Sequence, residues 1–496
     1  MSTTAERPAP AASKPAAPSP PGGPSHEPAF PTAREPRLRL LIPLVVACGM
    51  FMENLDSTIL ATSIPQIAES LNESPLRLSA AITSYLLSLA VFIPVSGWIA
   101  DRYGARSVFC AAIAVFTVGS ALCGAATSLP MLVLTRILQG LGGAMMTPVG
   151  RLIMLKSFPK SQLITAMSYV TMPALIGPAI GPLVGGFLTT YVSWRWIFYI
   201  NLPIGLIGIL LAARFVENFR SSGQSRFDFI GFVLCGIGLA STMLTLEYAG
   251  RHLISDALQA GIVASAALSL GFYGFYARRT PNPAVDLTLF RNRSFRVAVI
   301  GGAICRAGLG AIPFLLPLML QIPFGLSAFQ SGSLTFILAV GSMAMKSASP
   351  PILRNFGFRR LLIVNAFIVA AMTMALGLIR ADTPHWFIVG GLLLFGFFRS
   401  LQFTCMNALS YADLSGANAS SGTSVASVGQ QLSISFGVAI GASLLSIFAS
   451  DPHAPAAADF VPVFAIVGFL PLVSIAFFAR LAPEDGSQVS GYHPRR

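Results

Sequence analysis

Five ionisable side chains stand inside long apolar stretches of this sequence, namely Glu53, Asp56, Arg136, Arg306 and Arg399. A charge is costly within the hydrocarbon core of a membrane, so such residues usually line a pathway or form a buried pair. Glu53 and Asp56 are three residues apart, which places both carboxyls on one face of a helix, where they can share a proton. They are the predicted proton-coupling site, and Arg136 is the predicted modulator of their proton affinity.

A static salt bridge between Asp56 and Arg136, which would only position two helices, is the alternative interpretation of this site. The two residues are predicted at matching depths, so a pair is geometrically possible. All five histidines fall in the N-terminal tail or in loops of the predicted topology. Proton transfer at membrane depth would therefore depend on the carboxyls.

The second half of the chain carries the other two buried arginines, Arg306 and Arg399, near the middle of predicted helices. Polar side chains on neighbouring segments complete a predicted cavity lining: Gln321, Gln402, Gln430 and Gln431. A cation facing a cavity would favour anionic or zwitterionic substrates over simple cations. The alternative is that a nearby carbonyl or carboxylate neutralises each arginine.

The composition identifies a membrane protein. Of 496 residues, 54% are hydrophobic and only 10% are charged, and the mean hydropathy is +0.71; a soluble domain has about 25% charged residues. The six cysteines are scattered without a CxxC pair, which excludes a disulfide scaffold and gives no metal site. The net charge of +13 is spread over the ends of apolar segments, so a nucleic-acid partner is not expected.

Apolar stretches of about 20 residues, the length needed to cross a bilayer, recur along the chain. They are apolar on every face, which favours an all-α helical bundle over a barrel of alternating strands. The fourteen predicted transmembrane helices cover residues 40–63, 78–100, 108–126, 129–155, 163–189, 196–216, 229–249, 257–276, 295–320, 327–347, 361–379, 386–408, 424–448 and 460–478.

The distribution of basic residues predicts the orientation. An even number of helices places both termini on one side, and most of the 32 Lys and Arg residues fall there. The other side has only Arg77, Arg195, Arg251 and Arg380. Since cytoplasmic loops carry the excess of basic residues, both termini are predicted in the cytoplasm and the protein in the cytoplasmic membrane.

Linker lengths divide the chain into five predicted parts. Residues 1–38 are rich in Pro, Ala and Ser without an apolar signal core, which is typical of a disordered cytoplasmic tail. A six-helix bundle follows at 39–216, a central linker with helices 7 and 8 at 217–294, a second six-helix bundle at 295–481, and a cytoplasmic tail at 482–496. Two bundles around a central cavity are a common transporter architecture.

A short loop after predicted helix 2 combines charges with glycines: Gly97, Asp101, Arg102, Gly104 and Arg106. A carboxylate there could bind the N-terminus of a helix in the other bundle and so latch one conformation, with the glycines permitting close approach of a neighbouring backbone. The alternative is that these charges only fix topology. A degenerate copy at 350–360 has Arg354 in the position of Asp101, which predicts gating by one half only.

Predicted helix 5 has a smooth face of small residues. Gly177, Gly181 and Gly185 recur every four residues, which allows another helix to approach closely. Prolines on the same helix remove backbone donors and bend it. The full set of motif residues is Gly177, Pro178, Gly181, Pro182, Gly185 and Gly186. Close packing alone is the alternative explanation of the glycines.

Five segments resemble successive motifs of one known family. Residues 97–106 resemble the loop between helices 2 and 3 of the major facilitator superfamily, with Ala105 where a basic residue is usual. Residues 55–59, 136–144, 177–186 and 194–205 look like signatures of its fourteen-helix drug:proton antiporters, the EmrB/QacA type. The resemblance covers about residues 40–480 and implies the fold of that superfamily, a cytoplasmic gate latch at 97–106 and an antiport motif on helix 5.

The expected function is proton-coupled export of amphipathic organic compounds by alternating access. No cofactor beyond the proton gradient is expected, and no P-loop for ATP is present. Expected partners are a small-molecule substrate, the lipid bilayer and, in a cell with two membranes, a periplasmic adaptor that the resemblance alone suggests. A symporter or exporter of one small metabolite is the alternative. An enzyme is not expected, because the buried ionisable residues offer neither an activated nucleophile nor a metal cluster.

Overall fold

In apolar surroundings every backbone N–H and C=O group must be bonded within the chain, and helices achieve this. The computed structural model describes residues 41–158, 160–220, 227–248, 254–281, 283–412 and 419–492, and these residues form helices without any strand. The first six long helices are α1 at Leu41–Leu71, α2 at Ser79–Tyr103, α3 at Ala105–Gly124, α4 at Leu129–Ser157, α5 at Lys160–Tyr191 and α6 at Trp196–Phe215.

A pair of helices follows, and then a second group of six. The pair consists of α7 at Phe229–Tyr248 and α8 at Asp256–Ala277. The second group consists of α9 at Arg293–Gln321, α10 and α11 within Ala328–Leu376, α12 at His385–Ala412, α13 at Ala419–Phe448 and α14 at Ala457–Phe478. We call α1–α6 the first bundle and α9–α14 the second bundle.

The described residues give the predicted number of helices. Twelve are long and apolar enough to cross a membrane. One of these, the 49-residue Ala328–Leu376, contains Gly357 at φ 69°, which a helix does not allow, so α10 (328–356) and α11 (358–376) are separate spans. The 32-residue α5 is a further helix of sufficient length. Fourteen long helices therefore lie in the described part of the chain, as the sequence predicts.

Several helix ends have clear local causes. Ser128 accepts a hydrogen bond from the backbone N–H of Met131 and caps α4. Ser327 and Gln330 form a reciprocal capping box at the start of α10. At the C-terminal end of α1, Asn72 has a left-handed backbone conformation with φ 53°, and the helix ends there. The predicted end of the first helix at residue 63 is wrong, because Leu60–Ser63 form a 3₁₀ turn through which the helix continues to Leu71.

The two bundles meet near one face of the molecule. We call the face at which α1 begins the N-terminal face and the other the opposite face. Five hydrogen bonds join the bundles among the described residues, and all lie toward the opposite face. The bonds are Gln66 to Gln321, Gln321 to Thr62, Ser74 to Pro452, Phe329 to Thr190 and Ser435 to Thr83. The opposite face is therefore closed.

A cavity lies on the other side of the molecule. It has a volume of about 840 Å³ and is lined by α2, α4 and the first turns of α7. Aromatic rings dominate its wall, with Trp98 5.3 Å from Phe227 and Phe92 5.8 Å from Phe232 between ring centroids. Arg102 at the end of α2 also contributes, so the cavity lies toward the N-terminal face.

Each bundle docks its exit segment on a loop at the N-terminal face. After α6, Asn218 fills the space beside Gly104, whose φ is 95°, and the Ala105 N–H donates to the Phe219 carbonyl at 2.9 Å. After α14, the Tyr492 ring lies where a side chain at Gly357 would begin. The two loops follow the second helix of each bundle, so the arrangement repeats between the bundles.

Candidate functional site

The predicted partners Asp56 and Arg136 form an ion pair inside the first bundle. Arg136 Nη1 lies 2.5 Å from Asp56 Oδ2, and the side chains are 1% and 0% exposed. Breaking such a buried pair from one side leaves an uncompensated charge, which costs about 3–5 kcal/mol. The contact thus holds α1 and α4 together at membrane depth.

Further polar groups complete the surroundings of this pair. Gln139 Nε2 donates to Asp56 Oδ1 at 2.8 Å, and its Oε1 accepts from Arg136 Nη1 at 2.7 Å. Arg136 Nε donates to the Ala81 carbonyl at 3.1 Å, and its guanidinium stands 4.1 Å above the centre of the Tyr85 ring. Asn201 on α6 donates to Ser120 at 3.0 Å and lies 3.5 Å from Asp56. The pair therefore links α1, α2, α4 and α6.

Glu53 occupies a different environment from Asp56, although both lie on α1. It is half-buried and accepts a hydrogen bond from the Thr147 hydroxyl at 2.6 Å. The partners of Asp56, which are Arg136, Gln139 and Asn201, lie nearer the opposite face than Thr147 does. The two carboxyls are thus one turn apart with separate partners, and Glu53 is the more accessible.

The glycines of α5 contact two helices from different bundles. A side chain at Gly177 would meet the α1 backbone at Phe51 and Leu55, and one at Gly185 would meet the Ile59 carbonyl. Gly186 instead lies against the Ala328 carbonyl of α10, and Gly332 of α10 against the Pro182 carbonyl. The motif therefore packs α5 between α1 and the second bundle.

Gly181 shares this face, with the Thr58 hydroxyl of α1 in the space where a side chain would begin. Pro178 and Pro182 are half-buried within the continuous helix Lys160–Tyr191. Each proline lacks an N–H, so carbonyls one turn earlier lose their helical partner. The helix that joins the bundles thus has weakened backbone bonding at the contact.

The predicted gate loop is unlatched in this conformation. Asp101 is exposed and makes no hydrogen bond or ion pair with any described residue. Arg102 stacks on Trp98 with its guanidinium 5.5 Å from the ring centre. In this unlatched conformation nothing lies within 4 Å of a side chain placed at Gly97, so the close backbone approach that Gly97 is expected to permit stays a prediction. At Gly104 the close neighbour is the Asn218 side chain, while Arg106 is half-buried two residues further on.

Arg306 and Arg399 lie near mid-helix in the second bundle, as predicted. Arg306 is 3% exposed, and its Nη2 donates to Asn407 Oδ1 at 2.8 Å. The guanidinium groups of Arg306 and Arg399 lie 5.9 and 5.3 Å from the centre of the same ring, Phe403. Neither arginine has a carboxylate partner among the described residues, whereas Asp413 lies outside them.

Two of the predicted glutamine neighbours, Gln321 and Gln402, bond to groups other than these arginines. Gln321 is at the opposite face, where it accepts from Gln66 at 3.1 Å and donates to the Thr62 carbonyl at 3.0 Å. Gln402 accepts from Asn365 at 2.8 Å and so joins α12 to α11. Gln430 is half-buried without a hydrogen bond to a described residue. Sequence spacing indicates helix membership but not the rotation of each helix, which decides these contacts.

Within the described residues, no cluster of three His, Cys, Asp or Glu side chains could hold a metal ion. The six cysteines are all free thiols. The chemistry that the site offers is therefore that of paired and unpaired charges within a membrane-spanning bundle.

In the described part of the chain, two bundles of six long helices with a pair between them, and charges buried at mid-depth, define a multi-pass membrane protein of the transporter class. Residues 46–438 match the family model described as Major Facilitator Superfamily, and the chain belongs to that superfamily. It is 40% identical over 449 residues to MdtD of Pectobacterium atrosepticum, covering 90% of this chain and 96% of the relative. It is 41% identical over 410 residues to MdtD of Yersinia enterocolitica, covering 82% and 87%. Both are named provisionally as multidrug resistance proteins.

Solved structures share the fold at low sequence identity. A mutant form of the nucleoside transporter NupG superposes with a TM-score of 0.65 at 14% identity, covering 89% of this chain and all of that one. A D-xylose-proton symporter gives 0.64 at 16% identity, covering 90% and 98%. A bacterial homologue of the human lysosomal transporter Spinster, described as inward-facing and unoccupied, gives 0.63 at 16% identity, covering 93% and 100%.

Proposed function

We propose that this protein is a proton-driven exporter of amphipathic organic compounds. Its membership of the superfamily and its similarity to the MdtD proteins support export of drug-like substrates. The observation on which the proton coupling depends is the buried Asp56–Arg136 pair with Glu53 one turn away. The proton gradient replaces any cofactor, and no covalent catalysis is involved.

The excess of basic residues at the N-terminal face supports a cytoplasmic location for that face and for both termini. The conformation, closed at the opposite face, then corresponds to a transporter open toward the cytoplasm. In a cell with two membranes this protein would lie in the inner one, where a periplasmic adaptor could receive the substrate.

In the cytoplasm-facing conformation an antiporter has already released its proton. Asp56 paired with Arg136 and Gln139 represents that ionised form, because both partners donate hydrogen bonds to it. Glu53 lies one turn nearer the cytoplasmic face and is only half-buried, which suits a group that passes the proton between Asp56 and water. Separation of Arg136 from Asp56 in the outward conformation would favour proton uptake there.

The test uses purified protein in proteoliposomes with an imposed pH gradient. Asp56→Asn keeps the shape of the side chain but removes its titration, so uphill transport should fall to background. Exchange of labelled for unlabelled substrate without a gradient needs no net proton movement and should persist. Glu53→Gln should slow uphill transport less, because Glu53 relays the proton and is not its main binding site.

Full uphill transport by Asp56→Asn would exclude this residue as the proton carrier. Loss of both uphill transport and exchange would instead support the static salt bridge. Substrate accumulation on the same side as the protons would identify a symporter. Arg380→Gln, a change at an exposed loop residue, serves as the matched control for expression and reconstitution.

A further inference from the structure

One face of α12 at mid-depth of the second bundle carries two polar side chains with an aromatic ring between them. Arg399, Phe403 and Asn407 are spaced four residues apart, so they lie on one face of the helix. This face meets Arg306 of α9, which contacts both Phe403 and Asn407. Gly302, one turn before Arg306, leaves room for its guanidinium, whose Nη1 lies 2.7 Å from where a side chain at that glycine would begin.

The two arginines have N–H groups without a hydrogen-bond partner among the described residues. The Nε atoms of Arg306 and Arg399 are both buried and have no hydrogen-bond partner among the described residues. Only one hydrogen bond to either guanidinium joins described residues, the one to Asn407. Burying a cation such as Arg306, which is 3% exposed, without a counter-charge costs several kcal/mol, and stacking on one aromatic ring recovers about 2 kcal/mol at most. The residual donors and charge favour an anion at this position.

We propose that the face formed by Arg306, Arg399, Phe403 and Asn407 is the binding site for the acidic group of an organic anion. The guanidinium groups would donate charge-assisted hydrogen bonds to a carboxylate or sulfonate, and an aromatic body would pack on Phe403. This inference rests on the proposed function, since it names the charge class of the exported substrate. It separates the substrate site in the second bundle from the proton site in the first.

The experiment measures binding to the full chain in nanodiscs by isothermal titration calorimetry, with empty nanodiscs as the blank. The probes are 1-naphthoate, the neutral 1-naphthamide and the cationic 1-naphthylmethylammonium, which share one ring system. Naphthoate should bind about tenfold more tightly than naphthamide, since charge-assisted bonds are about twice as strong as neutral ones. The cation should bind more weakly than either.

Variants then locate the preference. Arg399→Gln should bring the affinities for naphthoate and naphthamide close together, whereas Arg399→Lys should retain part of the preference and Arg380→Gln all of it. Arg399 is only half-buried, so its replacement should fold. The comparison of the three probes on the unchanged protein needs no variant.

The assay buffer contains gluconate as its anion. Three results would overturn the proposal: naphthamide binding as tightly as naphthoate, an unchanged preference in Arg399→Gln, or loss of the preference when chloride replaces gluconate in the buffer. The last would indicate a resident inorganic ion. The assay contains no proton gradient, so it distinguishes the two proposals. Selective naphthoate binding without gradient-driven transport would refute the proposed export alone, whereas gradient-driven export without anion preference would refute only this site.

Discussion

The two bundles handle buried charge in opposite ways. In the first bundle Arg136 is paired with Asp56 and bonded on several sides. In the second bundle Arg306 and Arg399 share one aromatic ring and have no described carboxylate partner. An ion pair such as Asp56–Arg136 can switch between bound and separated states. An arginine without a carboxylate partner stays charged and attracts an anion. The difference suggests that proton coupling and substrate charge selection occupy different halves of the molecule.

The largest expected effect tests this contrast directly. Arg136→Gln strands the buried carboxylate of Asp56 and should lower the free energy of unfolding by about 3–5 kcal/mol. Arg399→Gln removes a cation that has no described carboxylate partner, so its stability should be unchanged or higher. Thermal unfolding of both variants in the same detergent provides the measurement. Equal destabilisation would mean that Arg399 has a buried partner and that the bundles do not differ.

A smaller effect on stability is expected at a feature that the two bundles share, the close packing of helices at glycines. Gly437 and Gly441 of α13 pack against Ala307 and Ala311 of α9, much as the α5 glycines pack against α1. Gly185→Ala and Gly437→Ala should each cost about 1–3 kcal/mol, because a backbone carbonyl occupies the space for the new methyl group.

Gly390→Ala is the matched control for these glycine variants. Nothing lies within 4 Å of a side chain at Gly390, and alanine is the better helix former, so stability should stay equal or rise. Thermal unfolding again measures the differences. Tolerance of Gly437→Ala together with loss of stability in Gly185→Ala would show that only the first bundle depends on close helix contact.

The sequence predicted features that depend on local composition. The helix number follows from apolar length, and the Asp56–Arg136 contact follows from two charges that are expensive to leave apart. Contacts that depend on helix rotation were not predicted: Gln321 bonds to α1 and not to an arginine, and Glu53 bonds to Thr147. Gln139 and Asn201 lie in recognised motifs, but nothing local to them indicates that they face Asp56. Gly437 and Gly441 carry the same four-residue spacing as the α5 glycines, and this spacing could have revealed them.

The gate loops provide the last contrast, with the smallest expected effect. Asp101 lies at the end of α2, whereas Arg354 lies at the end of α10, so only the first loop offers a carboxylate. In a conformation closed at the N-terminal face, a carboxylate near a helix N-terminus would be stabilised by the helix dipole, and an arginine would not.

Asp101→Asn should therefore leave stability and substrate binding unchanged and slow transport about two- to fivefold, the range that such a dipole interaction supplies. Arg354→Ala should slow it less, because no carboxylate latch is lost. Initial rates of gradient-driven transport at equal protein content measure both. Exposed Asp101 has no described partner to lose in the present conformation, so any slowing must arise in another state of the cycle. Equal slowing by both variants would mean that the two loops gate alike and that the carboxylate is not the latch.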